Sequence, residues 1–242
     1  MAKIYTNYSP NFQIPKRSKR NIKFVILHYT GMKKESLVIK RFCDESSKVS
    51  AHYLIKRNGE IIKFIPELYE AWHAGKSSWK KKKSLNKYSI GIEIQNKGHD
   101  NKYENFSNSQ INALKFLLKR LIKKYKIDLS NILGHSDIAP DRKKDPGEKF
   151  PWKKLAKAKL ANWHYVNEKK NKNLRFKKLN KKEEIIFLKN LYSIGYNKIE
   201  KVNANLNKKM LFIAFQRRFR QDLINGKSDQ ECFLISKNLL KS

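Results

Sequence analysis

Apolar and polar positions change period several times along the chain. From Ile22 to Tyr29 the run IKFVILHY is apolar, rich in β-branched residues and followed by polar and glycine signals, which predicts a buried strand of a layered sheet. ESLVIKRFCDE predicts a helix. AHYLIKRNGEIIKFI predicts two strands joined at Asn58-Gly59, a dipeptide suited to the left-handed backbone of a tight hairpin turn. In YSIGIEIQN, from Tyr88 to Asn96, Ile90, Ile92 and Ile94 share one face, and Gly91, Glu93 and Gln95 share the other. That strand carries a carboxylate opposite its apolar side. FSNSQINALKFLLKRLIKKYKI switches to helical spacing: Ile111, Leu114, Leu117, Leu118, Leu121, Ile122 and Tyr125 form one stripe, and Ser107 with Gln110 makes a capping box at its start. This helix packs a core and carries no chemistry.

NILGHSDI predicts a short strand or turn that delivers His135 to a loop. After FPWKKLAKAKL the periodicity fades, and residues 164–182 are polar, rich in Lys and Asn and without an apolar face, as in a basic linker. EEIIFLKNLYSIGY, NKKMLFIAFQRRFR and DQECFLISKNLL then give three short amphipathic segments, the third set off by a glycine-containing turn. The expected organisation is a main unit over 1–163, a linker over 164–182 and a small helical unit over 183–242.

A chain of 242 residues can bury one sizeable core and a second small one, and 40% hydrophobic with 12% aromatic residues describes a globular chain. The 55 Lys and Arg against 21 Asp and Glu give a net charge of +34, a balance that suits nucleic acid, an anionic membrane or an acidic polymer. Lysine supplies 45 of these cations and arginine 10, spread along the whole chain, whereas bidentate base and phosphate recognition favours arginine. Most of the charge therefore reads as solvated surface, and no specific nucleic-acid partner is expected. Cys43 and Cys232 lie far apart in regions of different character, so no disulfide framework is expected. No apolar secretory segment is visible at the start and no run approaches about 18 uncharged apolar residues, which excludes a transmembrane helix and points to the cytoplasm.

GHSDIAPDRKKDPGEKFPW, residues 134–152, gathers His135, Asp137, Asp141 and Asp145 around Lys143, and His28 closes the first predicted strand. A zinc hydrolase needs three nitrogen or oxygen ligands and one open position, and two imidazoles with one carboxylate meet that requirement. Taken singly, each residue reads equally well as structural. A strand-end histidine is commonly hydrogen-bonded, Glu93 is an ordinary sheet-face glutamate, and Lys143 is one lysine among many.

Five segments, FVILHYTG, VSAHYLIKRNGEI, AWHAGKSSW, SIGIEIQN and GHSDIAPDRKKDPGEKFPW, occur in that order over about residues 20 to 160. Together they resemble the zinc-dependent N-acetylmuramoyl-L-alanine amidases, the type-2 amidase domain of the AmpD/AmiD branch, related to peptidoglycan recognition proteins and phage amidases. The resemblance implies an α/β fold in which a mixed central sheet is flanked by helices, and one Zn2+ per chain held by His28, His135 and Asp145. An aspartate as third ligand, where the recognition and phage branches usually have cysteine, places the chain in the bacterial branch. Glu93 takes the role of proton shuttle and Lys143 that of carbonyl stabiliser. The tyrosine that the phage branch carries before its hairpin histidine is Ala51 here. His73, with Trp72 as packing, and Tyr29 are implied at the substrate groove; His52 is read as structural, and Asp137 and Asp141 as shaping the loop.

FLKNLYSIGY and FIAFQRRFR resemble a three-helix peptidoglycan-binding domain appended to some of these amidases. The implied activity is hydrolysis of the amide between N-acetylmuramic acid, or its anhydro form, and L-alanine of the stem peptide, by a monomer acting on peptidoglycan or muropeptides in wall turnover or recycling. A wall substrate makes a periplasmic or outer-membrane position facing the wall the alternative to the cytoplasm. A non-catalytic recognition module would lack a zinc-ligand residue, and none is missing; a nucleic-acid-binding protein has only the charge in its favour.

Overall fold

The computed structural model describes residues 3–199 and 203–241. In chain order the strands are β1 (Ile4–Thr6), β2 (Phe12–Gln13), β3 (Phe24–Tyr29), β4 (Tyr53–Ile55), β5 (Ile61–Lys63), β6 (Glu70–Ala71), β7 (Ser78–Trp79), β8 (Lys82–Lys83), β9 (Ser89–Ile94) and β10 (Ile132–Gly134). The helices are α1 (Glu35–Cys43), α2 (Asn108–Tyr125), α3 (His135–Ile138), α4 (Trp152–Lys157), α5 (Glu168–Asn171), α6 (Lys181–Ile194), α7 (Ala204–Phe219) and α8 (Gln230–Leu239).

Six strands form one mixed sheet in the order β1-β5-β4-β9-β3-β10, parallel throughout except for the β4–β5 hairpin at Asn58-Gly59. β2 pairs with β6 and β7 with β8 in two small antiparallel ribbons. The predicted period-two alternation sets the layers. Val25 and Leu27 of β3 and Ile90, Ile92 and Ile94 of β9 face α2, whose Leu114, Leu117, Leu118 and Leu121 are wholly enclosed against them. Burying four leucines contributes about 1.5 to 3 kcal/mol each, which is why this helix tolerates eight of its residues being sealed from water. The Ser107–Gln110 capping box closes its first turn as its sequence predicts.

The opposite face belongs to alternate positions of the same strands. Phe24 and Ile26 of β3, Leu133 of β10 and Ile138 of α3 are buried against Phe187 and Leu191 of α6, Phe212 and Phe215 of α7 and Ile235 of α8. The three C-terminal helices therefore share a core with the sheet. α1 seals a smaller cluster with Leu54 and Phe64.

Residues 164–182, expected as a linker, are folded. They contain α5 and a 3-10 turn over Lys172–Phe176. Their anchor is ionic: Arg175 donates from Nε and Nη2 to the Glu231 carboxylate at 3.0 and 2.9 Å, and Arg220 pairs with Asp229 at 2.9 Å beside it. Glu231 is completely enclosed. Apolar periodicity does not register a segment held by a buried ion network. Among the described residues, no helix is long and apolar enough to cross a membrane.

Candidate metal centre

Parallel strands of an α/β sheet bring functional groups to their carboxyl ends. His28 is the fifth residue of the six-residue β3, Glu93 the fifth of β9, and the two lie opposite one another in register. His135 follows the last residue of β10 directly. Asp145 returns from the loop beyond α3, tied by the Ser136 amide donating to the Asp145 carbonyl at 2.9 Å. Asp137 holds the start of that loop by accepting from the Gly134 amide at 2.7 Å. Gly134 itself admits no side chain, since a Cβ there would stand 2.7 Å from the Pro146 ring.

The result is a tight triangle. His28 Nδ1, His135 Nδ1 and Asp145 Oδ2 are separated by 3.0, 2.9 and 3.1 Å, and all three residues are buried. Bonds of about 2.0 to 2.2 Å in a tetrahedral set place ligand atoms roughly 3.3 to 3.6 Å apart, so a small expansion admits a divalent ion. The donor chemistry also fits. The Ala74 carbonyl, which can only accept, lies 3.1 Å from His135 Nε2 and holds a proton on that nitrogen, which leaves Nδ1, on the Asp145 side, as the ring's ligand atom. Two imidazole nitrogens and a carboxylate oxygen gathered in a buried site form a donor set suited to a divalent cation. Among the described residues this is the one His/Cys/Asp/Glu group compact enough to hold a metal ion.

The electrostatics follow from burial. Burial, reinforced by the neighbouring His135 ring, lowers His28 to about 4 against the opposing pull of Asp145, so its ring is neutral at physiological pH. Glu93 is pushed up to about 8, first by burial and then by the Asp145 charge, against the opposing pull of Lys143 and Arg41. Its Oε2 is sealed from water and has no hydrogen-bond partner among the described residues.

A cleft of about 670 Å³ opens over this group, with Tyr29, Trp72, Glu93, Lys143 and Lys144 among its lining residues. Tyr29 leans on the wall, its hydroxyl 2.8 Å from His99 Nδ1. Trp72 and His73 both line the cleft. His73 lies deeper, only 8% exposed, with Nδ1 3.0 Å from His28 Nε2 and Nε2 3.2 Å from Ser89 Oγ. His52 is fully enclosed and structural: Nδ1 accepts from the Gly91 amide at 3.0 Å, and Nε2 donates to the Tyr69 carbonyl at 3.0 Å.

Two contributors went unread in the sequence. Arg142 braces the loop by donating from Nε and Nη2 to the Lys76 carbonyl at 3.1 and 2.6 Å and from Nη2 to that of Ala74. Ser89 ends the chain of contacts behind His28. Neither residue belongs to a spacing pattern, because each acts through a contact with a distant loop. The helical unit also reaches the site. The Tyr196 hydroxyl donates to Asp137 Oδ1 at 2.8 Å, and Arg218 donates to the Ile132 carbonyl at 3.0 Å while lying over the Trp152 ring.

Comparison with known proteins agrees with this architecture. A family profile described as N-acetylmuramoyl-L-alanine amidase matches residues 18–148. N-acetylmuramoyl-L-alanine amidase AmiD of Escherichia coli (strain K12) is 34% identical over 233 residues, covering 91% of this chain and 83% of that one. 1,6-anhydro-N-acetylmuramyl-L-alanine amidase AmpD of Citrobacter freundii is 42% identical over 105 residues, covering 43% of this chain and 54% of its own. The solved structure of E. coli AmiD with the substrate anhydro-N-acetylmuramic acid-L-Ala-D-gamma-Glu-L-Lys superposes with a TM-score of 0.81 at 31% identity, over 95% of this chain and 92% of that one. AmpDh3 of Pseudomonas aeruginosa in complex with anhydromuramic pentapeptide gives 0.80 at 30% identity, over 96% of each chain. With a family profile across more than half its length and a relative matched along nearly all of it, this chain belongs to the N-acetylmuramoyl-L-alanine amidases.

Proposed function

We propose that the chain is a zinc hydrolase that cuts the amide between the lactyl group of N-acetylmuramic acid, or of its anhydro form, and the L-alanine of the stem peptide. The observation that carries this reading is the convergence of His28 Nδ1, His135 Nδ1 and Asp145 Oδ2 within 3.1 Å of one another on the floor of the cleft. These three residues would hold the ion. When bound, zinc supplies a nucleophile at neutral pH and Lewis-acid polarisation of a carbonyl.

Glu93, whose register partner is His28, accepts the proton of the attacking water and hands it to the departing amine nitrogen. An amide anion is too poor a leaving group to depart without that proton. A carboxyl raised to about 8, with its Oε2 unpartnered among the described residues, is suited to carry a proton in both directions. Lys143 places a cation in the same cleft, where it stabilises the charge that develops on the carbonyl oxygen. Tyr29 and Trp72 give the sugar and peptide an apolar wall. Complexes of two relatives with anhydromuramyl peptides support small muropeptides as substrates. The helical unit α6–α8 would add affinity for polymeric wall by keeping it near the cleft.

The test is metal content with turnover. Purified protein binds about one zinc per chain and releases the stem peptide from an anhydromuramyl tripeptide, detected by mass spectrometry; chelation abolishes release and zinc restores it. Asp145→Ala loses the metal. Retention of a full equivalent of zinc by that variant would remove Asp145 from the ligand set.

A further inference from the structure

We propose that His73 and Ser89 form a hydrogen-bond relay that dictates which nitrogen His28 offers to the metal, with Ser89 as its fixed end and Gly91 as the seat of the intervening ring. The inference rests on the zinc reading of the triangle and follows from counting protons.

Ser89 Oγ lies 2.7 Å from the Leu85 carbonyl and 3.2 Å from His73 Nε2, and the serine is wholly enclosed. A hydroxyl has one hydrogen. A carbonyl oxygen can only accept, and at 2.7 Å it would repel an oxygen lone pair, so the hydroxyl donates to Leu85. Ser89 Oγ then turns a lone pair to His73, whose Nε2 must carry its proton. The other nitrogen of that neutral ring, Nδ1, is left as an acceptor 3.0 Å from His28 Nε2. His28 therefore donates from Nε2, and its Nδ1 faces His135 and Asp145 without a proton.

The Ala74 carbonyl imposes the same tautomer on His135 independently. Two backbone carbonyls, through separate routes, thus fix both imidazoles with Nδ1 free. Strand geometry supports the same reading. Ser89, Gly91 and Glu93 occupy one face of β9 at two-residue intervals, opposite Phe24, Ile26 and His28 of β3. A Cβ on Gly91 would come within 2.4 Å of His73 Cγ, so the missing side chain is what lets the ring lie flat between the serine and the ligand. One strand face carries the anchor of the relay, the seat of its ring and the proposed proton shuttle.

Ligand-orienting partners of this kind are typically worth 10- to 100-fold in metal affinity. The experiment compares wild type, Ser89→Ala and Ser89→Thr by competition with a chelator for zinc. It also reads the histidine tautomers of the metal-free proteins by long-range nitrogen–proton NMR. Ser89→Ala is expected to lose about 10-fold or more in zinc affinity and to show His28 and His73 as tautomer mixtures, and Ser89→Thr, which keeps the hydroxyl, to recover most of both. Wild-type affinity and unmixed tautomers in Ser89→Ala would overturn the relay, as would equal loss in Ala and Thr, which marks simple packing. Failure of wild type itself to take up zinc would refute the zinc reading, while the tautomers of the metal-free protein would still decide whether the relay exists.

Discussion

Replacing Glu93 by glutamine separates what this residue does for the reaction from what it does to the fold. In the metal-free protein its carboxyl titrates near 8 instead of 4.5, because burial and the Asp145 charge disfavour the anion. A raised folded-state value means that stability is complete below the unfolded value and is lost as pH rises through the folded one. At 1.36 kcal/mol per unit, the part of that shift between about pH 5 and about pH 8 amounts to roughly 3 to 4 kcal/mol. Glu93 keeps some surface in the cleft although Oε2 is sealed, so solvent screening reduces the effect to about 2 kcal/mol. Glutamine has the same shape and no charge. Denaturant unfolding of metal-stripped wild type and Glu93→Gln should therefore show a stability gap that widens in favour of the variant by about 2 kcal/mol from about pH 5 to about pH 8. The same variant should bind zinc and lose turnover of an anhydromuramyl peptide by about 10²- to 10⁴-fold. A gap independent of pH would refute the desolvated carboxyl, and turnover within a few-fold of wild type would refute the proton shuttle.

Lys143→Ala should retain zinc and lower kcat by about 10²- to 10³-fold with little change in KM, because charge on the carbonyl oxygen appears only in the transition state; steady-state kinetics on the same peptide decides this. Tyr196→Phe removes one buried hydrogen bond to Asp137 and should cost about 1 kcal/mol in thermal or denaturant unfolding, more if the carboxylate finds no other donor. Burial alone would raise Glu148, but its hydrogen bond to His99 and the nearby His99 and Arg217 charges outweigh that and bring it to about 2. Its stabilisation is present above the unfolded value of 4.5 and lost as pH falls towards about 2, so Glu148→Gln should flatten the acid limb of an unfolding profile in that window.

The elements that the sequence foretold are those whose signal is local. The stripe and cap of α2, the Asn58-Gly59 hairpin and the alternation of β9 each fit within one window of the chain, and each is present. The residues of the His28–His135–Asp145 triangle were named through the order of five motifs, since 107 positions separate His28 from His135 and spacing alone carries no geometry. What stayed hidden was set by tertiary contact. His73 was expected at the substrate groove and lines the cleft, but its contacts with His28 and Ser89 depend on a glycine in another strand. Arg175 looked like linker charge until its partner Glu231 was placed beside it. β2, β6, β7 and β8 have two residues each, too short for any period to show.

The shared core between the sheet and α6–α8 bears on how such a chain can be shortened or recombined. Phe24, Ile26, Leu133 and Ile138 are at most 4% exposed, and cutting away the helices would turn all four to water together. At about 1.5 to 3 kcal/mol apiece, that loss rivals the whole margin by which an ordinary domain stays folded. A single-unit descendant of this architecture must therefore repaint that wall with polar side chains, and a chimera that keeps the wall must inherit a matching set of helices.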